Sequence, residues 1–166
     1  MKNSAVTKPK SAKHSDCRSL VDLGQIPDFD LTGSEAGFIE KIHSVRKKWL
    51  RDFTPDEIRV CIAQEIGVAF LVPKALAILN GNPWIETEHY EGDLLKTCID
   101  VPDEYWRDNI EKRDLMKEIL LTANRQVTDG EAPNGRQEIR DLERGFRKFE
   151  LNTEHDEGGK ASPATS

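Results

Sequence analysis

At 166 residues, with 37% hydrophobic and 33% charged side chains, the chain has the size and balance of one soluble globular domain, somewhat more polar than average. Its formal net charge of −6 repels nucleic-acid phosphate and favours basic partner surfaces. Lys74, Gly81 and Pro83 break the longest apolar runs, so no segment reaches membrane-spanning length and no membrane partner is expected.

Residues 1–22 are rich in Lys, Ser and Ala without hydrophobic period and read as a disordered tail. Their basic residues have no apolar stretch behind them, as a secretory signal would need, so a cytoplasmic location is expected. A helical domain is expected over 23–150, and a second disordered tail over 151–166. Phe38, Ile42, Val45 and Trp49 recur at steps of four, three and four, the inward face of a helix beginning near Ser34. Phe53-Thr54-Pro55-Asp56-Glu57 is a helix start: Thr54 caps, Pro55 suits the first turn, Glu57 completes a capping box and Phe53 serves as hydrophobic staple. That helix carries Ile58, Cys61, Ile62 and Ile66 on one face and is expected to stop at Gly67.

A second apolar helix spans about Ala69 to Asn80, with Pro73 in its opening turn, and Gly81-Asn82-Pro83 ends it. The next runs from about Tyr90 to Ile99 and turns Leu94, Leu95, Cys98 and Ile99 inward. Pro102-Asp103-Glu104 starts another, with Val101, Tyr105 and Trp106 as packing residues. Leu115, Met116, Ile119, Leu120 and Ala123 continue the helical period. After the polar loop Thr128–Arg136, Ile139, Leu142, Phe146 and Phe149 mark a final helix. No strand alternation or fixed repeat occurs, so the fold class is all-α, a single compact bundle of about six helices. Cys61 and Cys98 fall on apolar faces as small core hydrophobes, and the three cysteines lack metal-ligand spacing.

Ile62-Ala63-Gln64-Glu65-Ile66-Gly67-Val68 can be read as the first helix and turn of a helix-turn-helix regulator. A reader helix must then present Arg, Lys, Asn, Gln or Ser to bases and phosphates. The helix that follows offers Lys74 and otherwise apolar residues, the composition of a buried helix, so no nucleic-acid partner is expected. Catalysis is no better supported. Glu86-Thr87-Glu88-His89 lacks a second histidine at metal-binding spacing, and neither a phosphate loop nor a nucleophile elbow occurs. No catalytic residue, metal ligand or cofactor is accordingly expected.

From about Glu40 to Trp106 the chain resembles the helical immunity proteins of bacterial contact-dependent growth inhibition (CDI) systems. The pattern begins with Arg46-Lys47-Lys48, then Phe53-Thr54 and Asp56-Glu57-Ile58-Arg59. Gln64, Ile66-Gly67, Leu71, Pro73, Ala75-Leu76 and Ile78-Leu79 follow. Asn82-Pro83, Tyr90, Gly92-Asp93-Leu94-Leu95, Pro102 and Trp106 complete it. Trp49 stands where a proline is usual, and Lys74 where an apolar residue is usual. The N-terminal extension lies outside the resemblance.

The resemblance implies a non-catalytic protein that binds and neutralises the toxic domain of a cognate effector, often a nuclease with a basic active site. An acidic inhibitor suits such a partner: charge complementarity speeds association and a few desolvated anchors set the off-rate. Phe53, Thr54, Pro55, Glu57, Gly67, Pro73, Leu94, Leu95 and Trp106 are explained by capping, turning and packing. The toxin-binding residues are expected instead among Glu86, Glu88, Glu91, Asp103, Glu104 and Asp108, with Trp84 and Tyr90 as aromatic anchors. A solvated acidic face that touches nothing is the competing reading of the same acids, and a helical adaptor unrelated to toxins is the alternative function beside the helix-turn-helix regulator.

Overall fold

The computed structural model of the chain describes residues 16–25, 42, 44–133 and 135–151. Six α-helices follow a short 3₁₀ turn at Leu50–Asp52: α1 Pro55–Ala63, α2 Val68–Gly81, α3 Asp93–Asp100, α4 Asp103–Asp108, α5 Ile110–Thr128 and α6 Arg136–Lys148. Among the described residues, β pairing takes the form of two isolated bridges, Ser19 with Trp49 and Glu86 with Glu91. The all-α expectation holds. The start near Ser34 and the Phe38 position lie outside the described residues, as do His14, His43 and His155 and all but the first residue of the C-terminal tail.

Ile42 and Val45 are buried, but the helical period stops there. Trp49 is 45% exposed and Leu50 takes the inward place at 1%. The cause is a change of backbone: Trp49 pairs with Ser19, and the Leu50 and Arg51 amides donate to the Arg18 and Asp16 carbonyls. Trp49 is extended (φ −69°, ψ 140°) and Leu50 opens the 3₁₀ turn, a break from helical backbone that leaves position 49 out and position 50 in. The same pairing draws residues 16–22, expected as tail, onto the domain. Leu20 is fully buried there, and Leu20, Val21 and Leu23 form too short a run to show a period by which to predict it.

At α1 the local chemistry is as read. The Glu57 amide donates to Thr54 Oγ1 at 3.3 Å and the Thr54 amide to Glu57 Oε2 at 2.7 Å, with Pro55 in the first turn. Such a cap contributes about 1 kcal/mol. Lys48 Nζ adds an ion pair to Glu57 at 2.9 Å. Burial raises the Glu57 pKa, but the Thr54 amide and Lys48 outweigh it and the net shift is downward. Phe53 and Ile58, the staple pair, are both buried.

The helix ends earlier than expected. Glu65, not Gly67, is its left-handed terminator (φ 57°), and the Glu65 and Ile66 amides donate to the Ile62 and Cys61 carbonyls at 2.9 Å. These are the two bonds of a Schellman motif. Gly67 (φ 63°) instead caps the start of α2, and a Cβ there would sit 2.6 Å from Leu20 Cδ2. Because α2 begins at Val68, Pro73 lies in the helix interior and not in its opening turn. Its missing N–H deprives the Ala69 carbonyl of a helical donor, tolerable because Ala69 is exposed to water.

The helices close around one core. α1 packs on α2 and α3, α2 also on α3 and α5, α3 on α6, and α5 carries both α4 and α6. Leu71, Leu76, Leu79, Leu94, Leu95, Ile99, Met116 and Ile119 are nearly or fully buried in it, each worth about 2 kcal/mol of apolar transfer. Trp106 and Phe149 meet edge to face at 5.2 Å, joining α4 to the end of α6. Cys61 and Cys98 are buried free thiols, as read, and Cys17 is exposed.

Candidate functional site

The acidic residues singled out from the sequence separate into two places. Glu86, Glu88, Tyr90 and Glu91 lie on the loop between α2 and α3. Asp103, Glu104 and Asp108 lie on α4. The eight residues of α3 stand between them, about 12 Å of helix.

The α2–α3 loop is tightly built. Asn82 Oδ1 accepts from the Trp84 amide at 3.1 Å, Glu86 and Glu91 form an antiparallel bridge, and the Gly92 amide donates to the Ile85 carbonyl at 3.2 Å. Trp84, expected as an exposed anchor, is 7% exposed. A Cβ at Gly92 (φ 90°) would sit 2.8 Å from Trp84 Cε3, so the indole lies directly against that backbone. Trp84 therefore belongs to the core and supports the loop from beneath.

Two polar attachments hold the loop to the helices on either side. Arg59, on α1 and 8% exposed, donates to Asp56 Oδ1 at 2.9 and 3.2 Å and to Glu88 Oε2 at 3.3 Å. Its Nε also lies 3.3 Å from Asp93 Oδ2. That oxygen accepts from Thr87 Oγ1 at 2.5 Å and from the His89 amide at 3.3 Å, while Thr97 Oγ1 donates to the Asp93 carbonyl at 2.8 Å. On the other side Tyr90 Oη donates to Asp141 Oδ2 at 2.9 Å, and Gln137 Nε2 donates to Asp141 Oδ1 at 3.0 Å. Burial, and then the Asp141 carboxylate, push the Tyr90 phenol well above its ordinary range. Arg144 extends this second network, lying 3.4 Å from Asp141 and 3.0 Å from Asp100.

Tyr90 is thus half-buried and engaged, and Glu88 is an arm of the Arg59 cluster although its side chain remains 55% exposed. Glu86 and Glu91 are exposed side by side across the bridge that closes the turn 87–90, and no Lys or Arg occurs between Ala75 and Leu95. Like charges placed directly opposite across a bridge repel. Local stability alone therefore does not favour this pair.

The α4 acids have a different setting. Asp103 pairs with Lys148 at 3.1 Å and Glu104 with Arg107 at 3.5 Å, while Asp108 is exposed. Beside them a cleft of about 210 Å³ is floored by Trp106 and Phe149 and edged by Arg107, Arg113, Lys148 and Glu150. The charge there is mixed, and the loop at 86–91 is the more uniformly acidic surface.

Arg59 and Asp141 were missed as contributors to the loop. The signal for Arg59 was available: an arginine inside the apolar run Ile58–Ile62 must find buried counter-charges. Asp141 carried no comparable mark. Its 51-residue separation from Tyr90 is bridged only by folding.

For a DNA reader the exposed face of α2 is wrong. It presents Ala69, Ala77 and Asn80, and Lys74 is held by Asp16 at 2.6 Å. No group of three or more His, Cys, Asp or Glu side chains that could hold a metal occurs among the described residues. No helix among them is long and apolar enough to cross a membrane.

Residues 30–116, just over half of the chain, match the family of CDI immunity proteins. The chain belongs to that family. No curated protein and no solved structure matches it. The CDI immunity match spans α1 to α4 and the first turns of α5, and so includes Arg59, the α2–α3 loop and Asp93. It excludes α6, so the Tyr90–Asp141 attachment draws on a part of the chain outside the matched region.

Proposed function

We propose that this CDI immunity protein neutralises a cognate toxin domain by binding it, without catalysis, through the acidic α2–α3 loop. Glu86 and Glu91 face the partner, and Glu88 adds charge behind them. The observation that carries this reading is an exposed acidic loop, with no lysine or arginine of its own, lying inside the matched family region and tied down on both sides. The partner surface is basic, as the active site of a nuclease is, because its own substrate is phosphate. Binding takes place in the cytoplasm of the protected cell and needs no cofactor. Asp103, Glu104 and Asp108 fit the rim of such an interface less well, since two of them already have cationic neighbours.

Protection at low copy number calls for a dissociation constant near nanomolar, about 12 kcal/mol, which an interface of roughly 800 Å² per partner can supply. The test is co-expression with the toxin domain encoded immediately upstream. Growth should be rescued and a stoichiometric complex recovered. Failure of rescue, with no complex at micromolar concentrations, refutes the proposal. Titration against the chain's own promoter at several salt concentrations should be flat.

A further inference from the structure

We infer that Arg59 is the positioning residue of the toxin-binding loop: it never touches the partner, but fixes the carboxylates that do. The inference rests on the function proposed above. At 8% exposure Arg59 cannot itself form a recognition surface. A buried guanidinium is costly to desolvate, and an apolar side chain of similar volume commonly does as well for stability. The position of its partners supplies a different reason for its presence. They come from three segments: Asp56 from α1, Glu88 from the loop and Asp93 from the start of α3. One rigid fork therefore ties the loop to two helices, a geometry that a lysine's single ammonium cannot reproduce.

The fork does not engage every oxygen of the cluster: Asp93 Oδ1 is buried without a hydrogen-bond partner among the described residues. Arg59 orders the loop, and the side chains of Glu86 and Glu91 stay exposed on it. Between Glu88 and Tyr90 the loop is pinned on both flanks, so little ordering is left to be done when a basic partner arrives. An interface preorganised in this way gains chiefly in residence time. Long-range attraction, by contrast, governs the rate of encounter.

The experiment uses the full chain with Arg59→Met and, as the milder variant, Glu88→Gln. In the free protein, amide exchange at 86–91 should accelerate by about tenfold in each, while amides of α5 from Met116 to Ala123 keep their protection. With the isolated toxin domain the dissociation rate should rise about tenfold in both variants, while the association rate shifts only by the single charge changed, less than about threefold, up in Arg59→Met and down in Glu88→Gln. Arg59→Lys should recover part of the loss. If Glu88→Gln instead slows association beyond about threefold and flattens its salt dependence with loop exchange unchanged, Glu88 contacts the toxin directly and the positioning role is overturned. Normal toxin binding with unchanged exchange and unchanged off-rates in both variants overturns that role alone. Absence of binding by the unmodified chain overturns the proposed function, and the role with it.

Discussion

Replacing Trp84 tests whether the loop's aromatic residue is a recognition anchor or part of its support. The indole is 7% exposed, lies against the Gly92 backbone and leaves its N–H without a hydrogen-bond partner among the described residues. Trp84→Ala should then cost about 3–5 kcal/mol, the usual loss for a buried aromatic whose cavity cannot collapse. With a urea dependence of roughly 2 kcal/mol per molar, the unfolding midpoint should fall by about 2 M. Trp84→Phe loses volume but breaks no hydrogen bond, so its cost should stay under about 1.5 kcal/mol. Gly92→Ala should resemble the severe variant, because a methyl group there collides with the ring and must hold a left-handed backbone. Urea denaturation followed by tryptophan fluorescence and circular dichroism reads all three, with toxin binding by Trp84→Phe as the companion measurement. Should Trp84→Ala keep its midpoint within ~0.5 M while toxin affinity collapses, the residue is an exposed anchor and the reasoning is wrong.

Three further predictions follow from separate observations. Glu65→Gly relieves the left-handed terminator of α1 and should raise the melting temperature by about 2–4 °C, roughly 0.5–1 kcal/mol; an unchanged or lower value counts against the strain. At pH 8 a thiol reagent should label Cys17 alone in the folded protein, because burial pushes Cys61 and Cys98 up to about 12, with Glu57 adding to the shift at Cys61. Since both pKa values lie above their unfolded value near 9, the stability present at lower pH should be lost as pH rises from about 9 towards 12. Simultaneous labelling of all three thiols under native conditions would contradict this. Finally, Glu86→Lys combined with Glu91→Lys exchanges one like-charged pair for another and should leave the melting temperature about unchanged, while toxin association slows by about tenfold or more at low salt. An unaltered association rate would remove the loop from the interface.

Much of the scaffold was legible because it is written in local chemistry. The Thr54–Glu57 capping box involves four adjacent residues, and its bonds form wherever that helix forms. The inward faces of α3, α5 and α6 repeat with the helical period, and burial of Leu94, Cys98, Met116, Ile119, Leu142 and Phe146 follows. The errors share another cause. Trp49 continued the helical spacing of Ile42 and Val45 but lies in a stretch paired with Ser19, thirty positions away in the chain. Glu65 gave no hint of a left-handed backbone, since glutamate rarely adopts it, and Gly67 two residues on offered the more obvious stop. Trp84, beside a glycine, a proline and several acids, had the surroundings of a surface anchor; only the return of the chain at Gly92 encloses it.

The sequence by itself therefore determined the helical class, most of the helix starts, the membership in the CDI immunity family and the acidic character of the segment after Trp84. Those properties depend on residue types and short spacings, which the unfolded chain already carries. Only the tertiary structure decided which acids lie together, which are already paired, and that Arg59 and Asp141 hold the loop from opposite sides. The shape of the α2–α3 loop depends on contacts between segments up to 51 residues apart. Their geometry exists only once the core has closed and the loss of chain entropy has been met by burial.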